Sequence, residues 1–419
     1  MKSILIVIKD VIKYILNQGA FWILLLIVIL TKKRKSFEND KSKPQKLAWF
    51  GAYGNTNIGD DLIFFSIKQF VPDSVEINLS CRQQVPTTDY GVKTFYKGEN
   101  VFNYGKYKQI IKSSSHVILG GGGLFEYYKF SWPARRVIMN YLAPLMLAII
   151  YKKPFAIVGM GVNEGVIANK PFKYAFKAIL SRASFIITRD QKSVDGLHNN
   201  GVSGNITWTY DPVFSLSVSS IDPAKLVVPA KSKTVKKIGL LLWPYFLWPN
   251  FYKNYLAANS DQLQKHEKFV NGIKTLIDNL KQSGYELIYP LFHFSDKIIL
   301  DEMGVEYIDK ISIAEYSQQL LSCDLLISMR YHGLITALCE DIPVISIPVQ
   351  EKMYALIKNF NYKQYEFIPS EFDAARCFTV INEISAKKQL IEKDIKEKNV
   401  AIKKSVIDTY TTYFTGFFN

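Results

Sequence analysis

Cysteine and histidine are scarce in this chain of 419 residues, which contains four cysteines and five histidines. Cys81, Cys323, Cys339 and Cys377 form no CxxC pair, and two of them lie within apolar segments. This pattern is typical of buried thiols in a reducing compartment rather than of a disulfide framework. Because the histidines show no ligand spacing, we expect neither a metal site nor a bound cofactor.

The sequence also lacks the usual signatures of nucleic-acid binding. It has no zinc-finger spacing, no RNP-like aromatic pattern and no arginine-rich arm. Its 52 Lys and Arg residues against 37 Asp and Glu residues give a net charge of +15, but the lysines are spread along the chain. This charge suits anionic ligands, anionic lipid headgroups or simply a solvated basic surface. We expect no nucleic-acid partner.

The apolar run Phe21 to Leu30 is followed at once by the basic cluster Lys32-Lys33-Arg34-Lys35. Ten residues form only about 15 Å of helix, whereas the hydrocarbon core of a bilayer is about 30 Å thick. A membrane-spanning helix would therefore have to include Tyr14 to Gln18. The basic cluster favours a location of everything after Thr31 on the cytoplasmic side.

Two other structures fit the same segment. An amphipathic helix from Ile4 to Leu16, a break at residues 17–20 and the apolar run together form a re-entrant hairpin with both ends in the cytoplasm. Alternatively, the apolar run is a core helix of a soluble protein. We predict that residues 1–35 are a membrane anchor, and that the protein acts at the cytoplasmic face of the cell membrane.

Short apolar runs alternate with longer helical patterns in two series, which indicates an α/β fold with parallel sheets. The predicted strands are Leu47–Phe50, Val117–Leu119, Phe155–Val158, Phe185–Thr188 and Ile206–Thr209, then Ile238–Leu242, Glu286–Tyr289, Val305–Ile308, Leu325–Ser328 and Val344–Ile347. The fold class predicted is α/β, with two Rossmann-like domains in a GT-B-like arrangement, preceded by an N-terminal membrane-associated helical segment.

The predicted boundaries follow from these two series and from the composition between them. They are 1–35 for the membrane anchor, 46–216 for the N-terminal Rossmann-like domain, 217–236 for a linker, 237–365 for the C-terminal Rossmann-like domain and 366–419 for C-terminal helices. The last helix is expected to return to the first domain, and its apolar end at residues 410–418 is expected to pack there or to touch a membrane.

The most informative motif is Arg330-Tyr331-His332-Gly333, which follows the apolar run Leu325 to Ser328. It places a cation and an imidazole at the carboxyl end of a strand, where open α/β sheets bind ligands. Lys352 follows the next predicted strand and is expected at the same edge. These groups suit a ligand that carries a phosphate and a carboxylate and that needs protonation, and phosphoenolpyruvate has that shape.

Five further blocks occur upstream of this motif. They are Gly51 to Asp61, Ile118 to Leu124, Gly159 to Asn163, Thr188-Arg189-Asp190 with Ser193, and Tyr210-Asp211-Pro212. In this order, and together with the sequence from Ser328 to Leu338, they resemble the polysaccharide pyruvyl transferase family. The resemblance extends from about Lys46 to Lys358.

The resemblance implies a transferase that forms a pyruvate ketal on a sugar of a cell-surface polysaccharide or of its lipid-linked precursor. Phosphoenolpyruvate is the donor, bound on the side of residues 237–365, and His332 is the general acid. Arg330, Arg189 and Lys352 are assigned to the phosphate and carboxylate. These assignments have alternatives. His332 could be a buried core histidine, and Lys352 a solvated surface lysine. Arg189 could form an ion pair with Asp190 or cap a helix.

The first glycine-rich loop has neither dinucleotide nor P-loop spacing, and its two aspartates would repel a phosphate. We therefore predict that Asn55, Asn57 and Asp60 contact hydroxyl groups of the saccharide acceptor or brace the loop. Gly121 and Gly122 either permit close approach of the acceptor to the backbone or form a tight turn. The aromatic segment from Trp243 to Pro249 either stacks on a sugar or caps the core.

Two other functions remain possible from the sequence. A nucleotide-sugar glycosyltransferase of GT-B-like architecture would use the basic residues to bind a diphosphate. A non-catalytic scaffold at the membrane would organise polysaccharide assembly without using His332. The expected partners are phosphoenolpyruvate, a saccharide acceptor that is either free or lipid-linked, and a membrane surface.

Overall fold

The chain forms two compact units. A computed structural model describes residues 19–31, 44–82, 90–96, 104–126, 132–168, 170, 172–218, 221, 232–247 and 259–419. The first unit comprises Met1–Asn55, Ile63–Pro212 and Ser405–Asn419, and the second comprises Thr56–Leu62 and Val213–Lys404. The boundary thus follows Pro212, whereas the sequence-based boundary was residue 216.

The first unit is built on a parallel sheet of seven strands in the order β3-β2-β1-β4-β5-β6-β7. The strands are β1 Lys46–Phe50, β2 Glu76–Cys81, β3 Lys93–Tyr96, β4 His116–Phe125, β5 Phe155–Val162, β6 Phe185–Thr188 and β7 Ile206–Trp208. The order reverses between β1 and β4, so the ligand-binding crevice expected of an open α/β sheet lies at the carboxyl ends of these two strands.

The helices of the first unit connect these strands. They are α1 (residues 19–30), α2 Ile58–Lys68, α3 Tyr104–Ser113, α4 Trp132–Ile150, α5 Glu164–Ile167, α6 Phe172–Leu180 and α7 Gln191–Asn199, and the first residues of α2 belong to the second unit. In α6 the buried residues Phe172, Ala175, Phe176 and Ile179 recur at helical spacing. Helices of this kind cover the sheet with one apolar face and leave the other face polar.

Helix α1 packs one of its faces into the core of the first unit. Phe21, Leu25 and Val28 are buried there, whereas Leu26 and Leu30 are exposed. None of the described helices is both long enough and apolar enough to cross a membrane. The predicted helix from residue 4 to 16 and the basic cluster at 32–35 lie outside the described residues.

The second unit contains a parallel sheet of four strands in the order β11-β10-β8-β9. The strands are β8 Lys237–Leu241, β9 Glu286–Ile288, β10 Leu325–Ser328 and β11 Val344–Ser346. The predicted strand over residues 305–308 is wrong, because this segment is irregular and its residues are exposed or half-exposed. The order of the sheet reverses between β8 and β10.

The remaining helices belong wholly or largely to the second unit. They are α8 Ser260–Gln282, α9 Asp296–Met303, α10 Ile313–Leu321, α11 Tyr331–Cys339, α12 Glu351–Asn359 and α13 Ala374–Phe418. Residues of α13 from Ser405 onward belong to the first unit. There the aromatic end of the helix is buried, with Phe417 and Phe418 packed on the ring of His116. Burial in the core thus accounts for the apolar tail.

Candidate active site

The turn from β10 into α11 is closed by its own side chains. Ser328 Oγ accepts a hydrogen bond from the backbone N–H of Arg330 and donates one to the carbonyl oxygen of the same residue, both at 3.0 Å. A Cβ atom on Gly333 would collide with Leu241 and lie 2.8 Å from Ser328 Oγ. Gly333 therefore lets α11 approach the sheet closely, which brings Arg330 and His332 to the carboxyl end of β10.

The guanidinium of Arg330 lies at the point where the second sheet reverses its order. Its Cζ is 4.8 Å from the ring centroid of Trp243, which follows β8. Its Nη2 donates hydrogen bonds to Ser295 Oγ at 3.0 Å and to the carboxylate of Asp296. Its buried Nε has no hydrogen-bond partner among the described residues. The cation is thus held in place while one of its donors stays unused.

Asp296 is the anion that holds Arg330. Its Oδ2 accepts hydrogen bonds from the backbone N–H groups of Phe292 and His293, at 3.1 and 2.9 Å. Burial raises the pKa of the Asp296 carboxyl, and the Arg330 guanidinium and the two N–H groups act against this rise. The carboxylate therefore ties the loop that precedes α9 to the turn that follows β10.

His293 is a neutral member of the same network. Burial, and secondarily the charge of Arg330, lowers the pKa of His293 to about 3. Its Nδ1 accepts a hydrogen bond from the backbone N–H of Ser295 at 3.2 Å and lies 2.7 Å from Ser295 Oγ. Because Ser295 Oγ accepts from Arg330, its own proton is directed at His293 Nδ1. The network runs from Arg330 through Ser295 to His293.

The imidazole of His332 packs against the start of α2. A Cβ atom on Gly59 would collide with His332 Nδ1 and lie 3.1 Å from the ring of Phe292. The segment that carries Gly59 is held by a hydrogen bond from the N–H of Ile58 to the carbonyl of Phe292, at 3.0 Å, and by a β-bridge between Asn57 and His293. The buried His332 ring is therefore clamped by backbone of the second unit.

Asn57 and Asp60 brace this segment. Asn57 Oδ1 accepts a hydrogen bond from the N–H of Gly59 at 3.2 Å, and its Nδ2 donates to Asp60 Oδ2 at 2.8 Å. This is an N-terminal cap on α2. The contacts agree with the bracing alternative from the sequence, and contact with an acceptor hydroxyl stays a prediction.

Lys352 lies near Arg330 and His332 because its side chain contacts the ring of Tyr331. Its Nζ lies 5.0 Å from the centroid of the Tyr331 ring, and that ring is 5.1 Å from the His332 ring in an edge-on geometry. Arg330, His332 and Lys352 thus surround the turn after β10, as the sequence predicted for one sheet edge. Their roles toward a ligand stay predictions.

Arg189, in the first unit, is compensated by two carboxylates. It follows β6, its side chain is 1 % exposed, its Nη1 donates to Asp211 Oδ2 at 3.2 Å, and its Nη2 pairs with Glu126. The neighbouring Asp190 is not its partner in these pairs but caps α7 by accepting from the N–H of Ser193. These contacts favour a structural role, so binding of phosphoenolpyruvate by Arg189 stays a prediction.

Two glycines of β4 have backbone conformations that favour glycine, and one of them is also closely packed within the first unit. Gly121 and Gly122 have positive φ angles of 90° and 83°. A Cβ atom on Gly121 would lie 2.8 Å from both the Tyr53 hydroxyl and Ile63. Packing and backbone conformation therefore explain Gly121 without a ligand. The assignment of Gly121, Gly122 and Asn55 to the acceptor stays a prediction.

Sequence reasoning missed Asp296, Ser295, Phe292 and Gly59 as parts of this site. The sequence carries no local pattern that connects them to the turn after β10, because Ser295 and Asp296 lie at the start of α9 and Gly59 lies at the start of α2. Among the described residues there is no group of three or more side chains that could hold a metal ion.

A family model for polysaccharide pyruvyl transferases matches residues 57–351, which is more than half of the chain. The chain belongs to this family. The matched region includes every residue of the cluster around Arg330 and His332 except Lys352, which directly follows it. No curated protein sequence matches the chain.

The family member also resembles solved structures of sugar-nucleotide enzymes. UDP-GlcNAc 2-epimerase from Neisseria meningitidis, bound to UDP-GlcNAc, has a TM-score of 0.56 at 13 % identity, with 88 % of this chain and 99 % of that chain covered. Anabaena Alr3699/HepE, in complex with UDP and glucose, has a TM-score of 0.52 at 12 % identity, with 89 % and 99 % covered.

Sucrose-phosphate synthase from Thermosynechococcus elongatus has a TM-score of 0.53 at 10 % identity, with 89 % of this chain and 99 % of that chain covered. At these identities the likeness shows the fold alone. The polysaccharide pyruvyl transferase has an α/β fold with parallel sheets, and its structural neighbours are GT-B-like enzymes.

Proposed function

We propose that this family member transfers pyruvate from phosphoenolpyruvate to a sugar of a cell-surface polysaccharide or of its lipid-linked precursor, with His332 as general acid. The observation that carries the proposal is the geometry after β10. There a partly exposed arginine, held by Asp296 and Trp243, stands two residues before a clamped imidazole. An anionic substrate that needs protonation requires these two functions.

Arg330 binds the donor in this proposal. Asp296 holds the guanidinium on Trp243, and two of its five N–H donors go to Ser295 and Asp296, so others remain for an oxygen of the phosphate or carboxylate. Hydrogen bonds between ionised groups are worth about 1.5–3 kcal/mol each. Lys352 adds a second positive charge beside Tyr331. The phosphate and the carboxylate of phosphoenolpyruvate thus each have a cationic partner.

The proposed reaction balances without a metal or a redox partner. Protonated His332 delivers a proton to the methylene carbon, which becomes a methyl group as the neighbouring carbon becomes electron-poor. Two sugar hydroxyls form bonds to that carbon, and the bond to the phosphate oxygen breaks. One hydroxyl proton reloads the imidazole and the other leaves on inorganic phosphate. The products are a pyruvate ketal and phosphate.

The acceptor is proposed to lie along the segment that contacts His332. Asn57 and Asp60 belong to the same helix start as Gly59, whose backbone touches the imidazole. Amide and carboxylate groups are suited to hydrogen bonds with sugar hydroxyls. Asp60 would accept a hydrogen bond from the attacking hydroxyl, so the nucleophile would be held by the segment whose backbone touches the proton donor His332.

The test is the composition of the polysaccharide. The gene for this protein is deleted in the source strain, which is then complemented with the wild-type gene, with the His332→Gln variant or with an empty vector. The purified polymer is analysed by mass spectrometry. We expect a pyruvyl-sized mass on the sugar only with the wild-type protein. A wild-type polymer without that mass, or an unchanged mass with His332→Gln, contradicts the proposal.

The same material distinguishes the competing functions. A glycosyltransferase would change the sugar composition of the polymer, and the purified protein would consume a nucleotide sugar and ignore phosphoenolpyruvate. A non-catalytic scaffold would restore the polymer with His332→Gln as well as with the wild-type protein. Either result would overturn pyruvyl transfer as the function.

A further inference from the structure

Helix α1 presents an apolar face that the described residues of the first unit do not bury. Phe21, Leu25 and Val28 pack into the core, and Phe21 and Trp22 both contact the ring of Phe172 in α6. The opposite face consists of Ile23, Leu26, Ile27, Ile29 and Leu30, all exposed. Adjacent exposed hydrocarbon side chains of this kind mark an interaction surface.

The position of α1 is set at both of its ends. Near its start, Phe21 and Trp22 contact Phe172 at the start of α6. At its end, Arg182 donates a hydrogen bond from Nη2 to the carbonyl oxygen of Thr31 at 2.9 Å. Helices α1 and α6 therefore run side by side in the same direction, and the exposed face is a fixed part of the first unit.

The charged residues of the helix that α1 packs against, and those that directly follow α1 in the sequence, are basic. Neither residues 19–31 nor α6 contain an aspartate or a glutamate, whereas α6 carries Lys173 and Lys177 and the chain continues after Thr31 with Lys32-Lys33-Arg34-Lys35. A hydrocarbon surface with basic groups at its edge matches the acyl and headgroup layers of an anionic membrane.

We propose that the exposed face of α1 docks this protein laterally onto an anionic membrane surface. Because Phe21, Leu25 and Val28 are buried in protein, lipid can surround only the outer half of the helix. The helix then lies in the plane of the interface, with its apolar side chains about 5–10 Å deep. A second copy of the chain is a poorer occupant, because pairing two such faces would bring two basic clusters together.

The test measures binding of the full-length protein to vesicles of phosphatidylcholine with and without phosphatidylglycerol, by co-sedimentation. Leu26→Ser with Leu30→Ser removes two side chains that are 57 % and 73 % exposed. We expect the partition coefficient to fall about 100-fold, since each leucine is worth about tenfold at this exposure. Thermal unfolding should be unchanged, because neither side chain is in the core.

The matched control is Leu390→Ser with Val400→Ser. These side chains on α13 are 70 % and 66 % exposed, so the double variant removes a similar apolar surface elsewhere. Its vesicle binding should equal that of the wild-type protein. If it falls as far as that of the α1 variant, general surface hydrophobicity rather than the α1 face is responsible, and the proposal is wrong.

A third variant replaces Lys32, Lys33, Arg34 and Lys35 with serine. Binding to vesicles that contain phosphatidylglycerol should fall about fivefold for each charge, with loss of its salt dependence, and binding to neutral vesicles should not change.

Unaltered binding of the α1 variant would assign attachment to other residues and overturn the proposal. A dimer that forms without vesicles and is lost in the α1 variant would identify a second copy as the occupant. No substrate is involved, so the outcome is independent of pyruvyl transfer.

Discussion

Arg189 and Arg330 each follow a strand of a parallel sheet, and each pairs with a carboxylate, but their surroundings differ. Arg189 is 1 % exposed and lies between two carboxylates, Glu126 and Asp211. The Arg330 side chain is 15 % exposed, and among the described residues it pairs with the carboxylate of Asp296 and lies on the ring of Trp243. The sequence assigned both to the same anionic ligand.

The difference shows how a binding arginine can be told from a structural one. Two carboxylates more than neutralise Arg189, so an anionic ligand there would have to displace one of them. Around Arg330, Asp296 is the one paired carboxylate among the described residues, so this more exposed cation is less compensated and better placed to meet a ligand oxygen.

The largest effect should come from the imidazole beside Arg330. His332→Gln removes the proposed general acid, so pyruvyl transfer should fall about 10²- to 10⁴-fold with little change in the KM for phosphoenolpyruvate. Phosphate release in the presence of extracted acceptor measures this. His198→Gln, at an exposed histidine of α7, is the matched control and should retain full activity. Equal rates for the two variants would remove His332 from the mechanism.

The next effect should come from Gly59. Its backbone is outside the left-handed region, so alanine fits the chain, but the added methyl group collides with His332 Nδ1 and must displace the ring. A misplacement of about 1 Å can cost about 10²-fold in rate, so kcat of Gly59→Ala should fall by about that factor. Gly105→Ala, where nothing lies within 4 Å of the new methyl group, should be fully active. A fully active Gly59→Ala would mean that the clamp on the imidazole is unimportant.

Substitution of lysine for each of the two arginines should affect different properties of the protein. Arg330→Lys keeps the charge but loses the planar fork and the face on Trp243, so the KM for phosphoenolpyruvate should rise about 10- to 100-fold. Arg189→Lys should lower the melting temperature and leave KM within about twofold, because its pairs are internal to the first unit. A rise in KM with Arg189→Lys as large as with Arg330→Lys would restore Arg189 as a ligand of the donor.

The smallest effect concerns pH and compares a buried histidine of each unit. Burial lowers the pKa of His116 to about 4 and that of His293 to about 3. Below about pH 6.5 the unfolded chain binds protons that the folded chain does not, so stability falls as the pH falls. Each histidine contributes a loss of about 1.4 kcal/mol per pH unit in this range.

His293→Asn and His116→Asn should therefore each flatten the decline in the free energy of unfolding between pH 6.5 and pH 5, with the Asn Oδ1 at position 293 replacing Nδ1 as acceptor for Ser295. Denaturant titrations at several pH values give the slopes. If both variants keep the wild-type slope, the two imidazoles are protonated in the folded protein and the network around Ser295 is wrongly described.

The alternation of apolar runs was sufficient to predict most strands, because parallel strands bury both faces and read as continuous apolar segments. The prediction of a strand failed at residues 305–308. Apolar and polar residues alternate there, but the segment is irregular and its residues are exposed or half-exposed. The apolar runs also did not predict β2 and β3, whose patterns are short and flanked by polar residues.

The tight turn after β10 was predictable, because Ser328 and Gly333 give it a local geometry that the sequence displays; its role as a binding site stays a prediction. The partners of that turn were not. Asp296 and Gly59 reach it through the order of the sheet and the path of the chain, and neither residue carries a local pattern that points to Arg330 or His332. Helix α1 was predicted as an anchor, but its division into a buried and an exposed face required the packing on α6.

The central claim is that His332 protonates phosphoenolpyruvate held at Arg330. The most direct measurement incubates the purified protein with phosphoenolpyruvate and extracted acceptor in D₂O, and follows phosphate and the ketal by NMR. The account predicts equal amounts of phosphate and ketal, a methyl group with a single deuterium, and neither product with His332→Gln. Consumption of a nucleotide sugar with phosphoenolpyruvate untouched, or a ketal formed at the wild-type rate by His332→Gln, would contradict it.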